Sequence, residues 1–135
     1  MFGKRYKQGE DNYVVRPNFL CVTDGVGGWI RKLVDTGLFT KEFVVHIANN
    51  YDQNSYESLK DLLDKSSKMT KSQGSSTCVM VELQNDELKT CNLGDSGYLL
   101  MRPMKSPTDQ IYIKKIFRSE IQQSRFNAPY QTGTD

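Results

Sequence analysis

The sequence predicts an α+β layered domain built on antiparallel sheets. Three observations carry that prediction: short β-type runs come first, two stretches with helical spacing follow, and a succession of strand-like runs joined by turn residues comes last. A βαβ alternation would interleave these elements instead of grouping them. At 135 residues the chain has the size of one domain, and a globule of that length buries roughly two-thirds of its unfolded surface.

Residues 12–15 (N-Y-V-V) and 19–23 (F-L-C-V-T) are rich in β-branched and aromatic residues, and Pro17-Asn18 between them supplies a turn, so the two runs form a hairpin. A glycine-rich stretch, V-T-D-G-V-G-G, follows. Over 38–50 the apolar residues Phe39, Phe43, Val44, Ile47 and Ala48 recur at helical spacing, with Tyr51 just beyond, predicting an amphipathic helix. A second helix is expected over 55–68, with Tyr56, Leu59, Leu62 and Leu63 facing inward, Asn54 as its cap and Glu57 completing a capping box.

From Ser76 the period changes to that of strands. T-C-V-M-V-E-L, the turn Gln84-Asn-Asp, E-L-K-T-C-N-L, Gly94-Asp-Ser-Gly, Y-L-L-M-R, a loop over 103–109 and I-Y-I-K-K-I-F read as an antiparallel meander. After Phe117 the residues turn polar and irregular, and no closing element is expected there.

Composition narrows the class. A 37% hydrophobic and 25% charged content, with both signs interspersed, describes an ordinary soluble protein, and a net charge of +2 gives no reason to expect a nucleic-acid partner. No apolar run is long enough for a membrane span. The basic start, M-F-G-K-R-Y-K, is too short and too soon followed by Glu10 and Asp11 for a complete cleavable signal. Cys21, Cys78 and Cys91 are an odd number without a C-x-x-C spacing and lie in apolar runs, so buried thiols in a reducing, intracellular compartment are expected.

Chemistry concentrates in the acidic residues. Gly9-Glu10-Asp11 precedes the first strand, Asp24-Gly25 ends the second, and Asp95 lies between two later strands. In an antiparallel hairpin Glu10 and Asp24 emerge at one end of the sheet. Converging carboxylates repel one another unless a cation sits between them, and oxygen ligands suit a hard ion such as Mg²⁺ or Mn²⁺. Gly25, Gly27 and Gly28 would let the backbone approach such an ion.

G-E-D-N, V-T-D-G-V-G-G-W, G-S-S-T-C-V, N-L-G-D-S-G-Y-L and E-I-Q-Q-S-R-F-N-A-P-Y-Q resemble, in order and spacing, the metal-dependent protein phosphatases of type 2C. The D-G-V-G-G-W form and the F-N-A-P-Y-Q segment are most similar to the mitochondria-associated eukaryotic branch, which implies a mitochondrial location. The resemblance implies a pair of packed antiparallel sheets flanked by helices, a four-layer αββα sandwich of which residues 1–135 are the N-terminal portion.

It further implies hydrolysis of phosphoserine or phosphothreonine in a phosphoprotein substrate by water activated between two Mn²⁺ or Mg²⁺ ions. Asp24 would bridge the ions, Glu10 and the Gly25 carbonyl would bind one of them, Asp11 would hold the attacking water, and Asp95 would contribute to a third, weaker ion. The chain departs from the family at three places. Val26 stands where many members have a His general acid, so the leaving-group proton must come from elsewhere. Tyr6 occupies the position of a phosphate-holding Arg, leaving Arg5 as a weak substitute. The family's later aspartates, in an A-T-D-G-like segment and a final Asp-Asp or Asp-Asn pair, do not occur in these 135 residues.

Two expectations follow. The chain is either the first part of a phosphatase or an inactive, phosphatase-derived interaction subunit whose incomplete sheets are covered by another protein chain. His46 is expected to be structural, Trp29 to anchor the glycine loop, and Ser75, Ser76 and Thr77 to make strand-entry hydrogen bonds. No role is assigned to Phe126, Asn127 and Gln131.

Overall fold

A computed structural model describes residues 9–134. β1 (Asn12–Arg16) and β2 (Phe19–Thr23) form the expected hairpin, in the register Asn12 opposite Thr23 to Arg16 opposite Phe19. β2 also pairs with β4 (Cys78–Gln84), which pairs with β5 (Glu87–Leu93), giving an antiparallel four-stranded sheet in the order β1-β2-β4-β5. The turn between β4 and β5 is tight because Asn85 and Asp86 both adopt positive φ, 49° and 63°, matching the right-handed twist of the flanking strands.

Helices α1 (Thr36–Asp52) and α2 (Leu59–Met69) cover one face of this sheet. The alternation of strand side chains sends Val14, Phe19, Cys21, Cys78 and Met80 toward Phe39, Phe43 and Ile47 of α1 and Leu62 of α2. Phe19 stacks on Tyr51 at 4.3 Å, and Arg16 makes a two-pronged contact with Asp52 at 2.7 and 2.6 Å, fixing the end of α1 to β1. The three cysteines are free thiols; Cys21 and Cys78 are fully buried, with their sulfurs 3.8 Å apart.

The second helix starts later than its apolar pattern suggests. Asn54 is not its cap: it takes a left-handed φ of 51° and closes the end of α1, donating to Tyr51 O. Tyr56 then leaves the helical path to stack on Tyr51 and donate to Glu82 at 2.7 Å; burial and that hydrogen bond push its phenol well up. Ser58 caps α2 by accepting from Asp61 N, while Asp61 accepts in turn from Glu57 N. A capping pair is present, shifted along the chain.

The meander breaks after β5. Among the described residues β6 (Leu99–Lys105) and β7 (Ile111–Arg118) pair only with each other, and β6 runs through Pro103 into the expected loop, which an outer edge unpaired by any described strand permits. The polar segment beyond β7 is pinned down rather than loose. β8 (Gln123–Arg125) and β9 (Ala128–Pro129) form a small hairpin, and β10 (Thr132–Gly133) pairs with β3 (Ser75–Ser76).

The sheet face away from the helices is apolar and open. Tyr13, Val15, Leu20, Val22, Leu83 and Leu88 are all exposed on it, Tyr13 at 72%. No described helix is long and apolar enough to cross a membrane.

Candidate active site

The acidic residues meet where the sequence places them, at the open end of the β1–β2 hairpin. Asn12 opposite Thr23 is the last strand pair, so Asp11 and Asp24 follow it on facing chains and Glu10 faces Gly25. The pairing continues one step through Gly25 N donating to Glu10 O at 3.2 Å. A Cβ on Gly25 would stand 2.8 Å from that oxygen, so this approach requires glycine.

Threonines fix the hairpin end from below. Thr40 of α1 donates to Glu10 O at 2.7 Å and accepts from Asn12 Nδ2 at 2.8 Å, while Thr23 Oγ1 donates to Asn12 O. The Asp24 backbone is held from the other side. Its carbonyl accepts from Thr77 N and Ser76 Oγ, both at 3.0 Å.

Asp95 arrives from the end of β5. Gly94 takes φ +103°, with any added Cβ 2.6 Å from Thr77 Cγ2 and 2.7 Å from Tyr130 O. Thr77 Oγ1 and Ser96 Oγ lie 2.7 Å apart and tie the turn to the sheet.

The electrostatics follow from this grouping. The Asp24 carboxyl is pushed up to about 6, first by burial, then by a hydrogen bond with Asp11, then by the charges of Asp11, Asp95 and Glu10. Among the described residues no three Asp, Glu, His or Cys side chains are gathered closely enough to hold an ion. Charge repulsion reaches farther than a ligand bond, so these carboxyl groups perturb Asp24 without standing within coordinating distance of one point. The donor set is oxygen-only and its central carboxyl is destabilised as an anion, which is the chemistry a hard divalent cation satisfies.

A cavity of 420 Å³ opens on these groups, lined by Asp24, residues 25–28, Thr77, Asp95, Asn127 and Pro129. None of these lining residues is a Lys or Arg. Asn127 is the residue that sequence reasoning left without a role; it sits at the β8–β9 turn with φ 54°, beside Phe126, which is 92% exposed. The available signal was the F-N-A-P run itself, whose Asn tolerates a left-handed turn.

The same segment braces the site. Trp29 Nε1 donates to Ser75 Oγ at 2.6 Å, and Ser75 donates to Gln131 Oε1 at 2.7 Å. Gln122 N donates to Gly94 O and Tyr130 N to Gln122 O. Trp29 therefore anchors the glycine loop, Ser75 and Ser76 make structural hydrogen bonds, and His46 lies beside Glu42 at 3.5 Å on α1. Arg5 and Tyr6 lie outside the described residues.

The comparisons agree with the motifs. No family model matches the chain. It is 35% identical over 127 residues to probable protein phosphatase 2C 55 of Arabidopsis thaliana, covering 91% of this chain and 25% of that protein. It is 34% identical over 139 residues to the protein phosphatase PTC7 homolog fig of Drosophila mojavensis, covering 93% and 42%. The X-ray structure of the photosystem II phosphatase PBCP superposes with a TM-score of 0.77 at 28% identity, covering 94% of this chain and 49% of that one. The chain thus spans less than half the length of each. Over the part of their length that it spans, this chain is similar to protein phosphatases of type 2C.

Proposed function

We propose that the chain is the N-terminal portion of a metal-dependent protein phosphatase acting on phosphoserine or phosphothreonine. One observation carries the reading: Asp24 and Asp95 line one cavity, and the Asp24 carboxyl is pushed up to about 6 by burial, its hydrogen bond with Asp11 and the charges of Asp11, Asp95 and Glu10. The likeness to type 2C protein phosphatases supports it.

Asp24, Glu10 and the Gly25 carbonyl would hold Mn²⁺ or Mg²⁺, with Asp95 at the side. When bound, such ions make water a stronger nucleophile and take up charge developing on a phosphoryl group. Asp11, hydrogen-bonded to Asp24, orients the attacking water and accepts its proton. The glycine loop, braced through Trp29 and Ser75, keeps the cavity open to a phosphorylated side chain. Val26 cannot donate a proton, so the leaving serine or threonine oxygen takes one from solvent. Phosphate release from a phosphothreonine peptide with Mn²⁺, compared with EDTA, tests the reading; no metal-dependent release would overturn it.

A second reading, an inactive phosphatase-derived interaction subunit, draws on the open apolar face formed by Tyr13, Val15, Leu20, Val22, Leu83 and Leu88. It predicts a stable complex with another protein chain and no turnover, whereas a folded, active monomer would exclude it. Three free thiols, two of them fully buried, suit a reducing compartment.

A further inference from the structure

Asp95 also lines a second cavity, of 400 Å³, whose other walls include Tyr98, Leu99, Lys115, Arg118 and Ser119. It is opposite in character to the acidic one. Two cations face it, and the reason is a β-bulge. Leu100 pairs with Phe117 and Met101 with Lys115, so Ile116 is an extra residue in β7. In a regular strand Lys115 and Arg118 would point to opposite faces; the inserted residue puts both on one face.

Neither cation is committed elsewhere. Lys60, Lys65, Lys105 and Arg16 each pair with an aspartate, whereas the side chains of Lys115 and Arg118 make no ion pair or hydrogen bond among the described residues. The cavity's base is rigid. Tyr98 N donates to Ser119 Oγ at 2.9 Å and Ser119 N to Tyr98 O at 3.1 Å. Gly97 leaves it open, since a Cβ there would stand 2.5 Å from Ser119 Oγ.

We propose that this cavity is an anion subsite for the substrate. Lys115 and Arg118 receive an acidic side chain or a second phosphate next to the phosphorylated residue, which itself enters the neighbouring acidic cavity. The inference rests on the phosphatase reading and gives it a substrate class: phosphoproteins with a further negative group beside the scissile phosphate. Asp95, the shared wall, places the two cavities within the few residues that an extended peptide spans at about 3.3–3.6 Å each. It also disfavours a free anion, which would meet the Asp95 carboxylate without the second anchor.

Fluorescence anisotropy with labelled phosphothreonine peptides that differ only in carrying Ala, Glu or phosphoserine beside the phosphothreonine tests this without turnover. The protein binds the Glu and phosphoserine peptides about three- to tenfold tighter than the Ala peptide, and the preference shrinks in high salt. The double variant Lys115→Ala, Arg118→Ala removes the preference, and Lys115→Glu, Arg118→Glu reverses it. Both residues are exposed, so the fold tolerates the changes. Equal affinity for the three peptides, or a preference that survives the double variant, overturns the proposal. Failure of the unaltered protein to release phosphate from the Ala peptide would instead count against the phosphatase reading, because the affinity ratio is read independently.

Discussion

The Asp24 carboxyl is hydrogen-bonded to Asp11 across the open end of the β1–β2 hairpin, and burial together with this contact raises it to about 6. Two carboxyl groups share a hydrogen bond only if one keeps its proton. Near neutral pH that proton is lost and the pair is left in repulsion, with Glu10 and Asp95 adding to it.

Asp24→Asn is therefore expected to stabilise the metal-free fold while removing function. A carboxyl raised in the folded state favours folding in its protonated form, so its contribution is best below 3.8 and is lost as pH rises through about 6. In EDTA at pH 7 the variant melts higher, by about 1 kcal/mol after solvent screening at the open rim is allowed for. At pH 3.5 the two proteins melt alike. Thermal melts followed by circular dichroism at both pH values check this.

Glu42 shows the opposite sign. Its carboxylate accepts from Ser72 and from Lys71 N at 2.9 Å, which lowers it to about 2 and ties the start of the loop after α2 to α1. That stability is present above 4.5 and lost as pH falls through about 2. Glu42→Gln costs about 1 kcal/mol at pH 7 and flattens the acid limb of the stability curve, measurable by urea titrations across that range.

Gly94→Ala tests how Asp95 is delivered. With φ +103° and a Cβ 2.7 Å from Tyr130 O, any side chain there strains the turn and displaces the segment beyond it. A loss of about 2 kcal/mol or more is expected, with weaker Mn²⁺ binding than stability alone would explain. Calorimetric titration at a temperature where the variant remains folded separates the two effects.

Trp29→Phe keeps the ring's apolar packing and deletes the donor to Ser75. The cost is about 1 kcal/mol, together with faster proteolysis in the glycine loop and in the segment held through Gln131. Limited trypsin digestion followed by mass spectrometry reads both sites, since Arg31, Lys32 and Arg125 supply cleavage points.

The elements governed by local rules were legible in the sequence. The hairpin followed from β-type runs flanking Pro17-Asn18, the first helix from the spacing of Phe39, Phe43 and Ile47, and the β4–β5 turn from Asn85-Asp86. The meeting of Glu10, Asp11 and Asp24 was legible too, because hairpin pairing alone brings them to one end.

What escaped depended on contacts distant in sequence. Tyr56 fits a helical pattern but leaves the helix for Glu82, a partner 26 residues away. Gln122, Asn127 and Gln131 lie in a stretch with no periodicity, so only the folded chain shows them bracing Gly94, lining the acidic cavity and holding Ser75. The bulge at Ile116 also left no sequence signal, because I-K-K-I reads as an ordinary strand until its register is known.

Calorimetric titration of the protein with Mn²⁺, beside the Asp24→Asn variant, tests the central claim most directly. The account predicts saturable binding by the unaltered protein, release of protons as Asp24 ionises, and a loss of at least about tenfold in affinity in the variant. Equal binding by the two proteins, or no binding by either, would contradict the assignment of the carboxylate cluster as a metal centre.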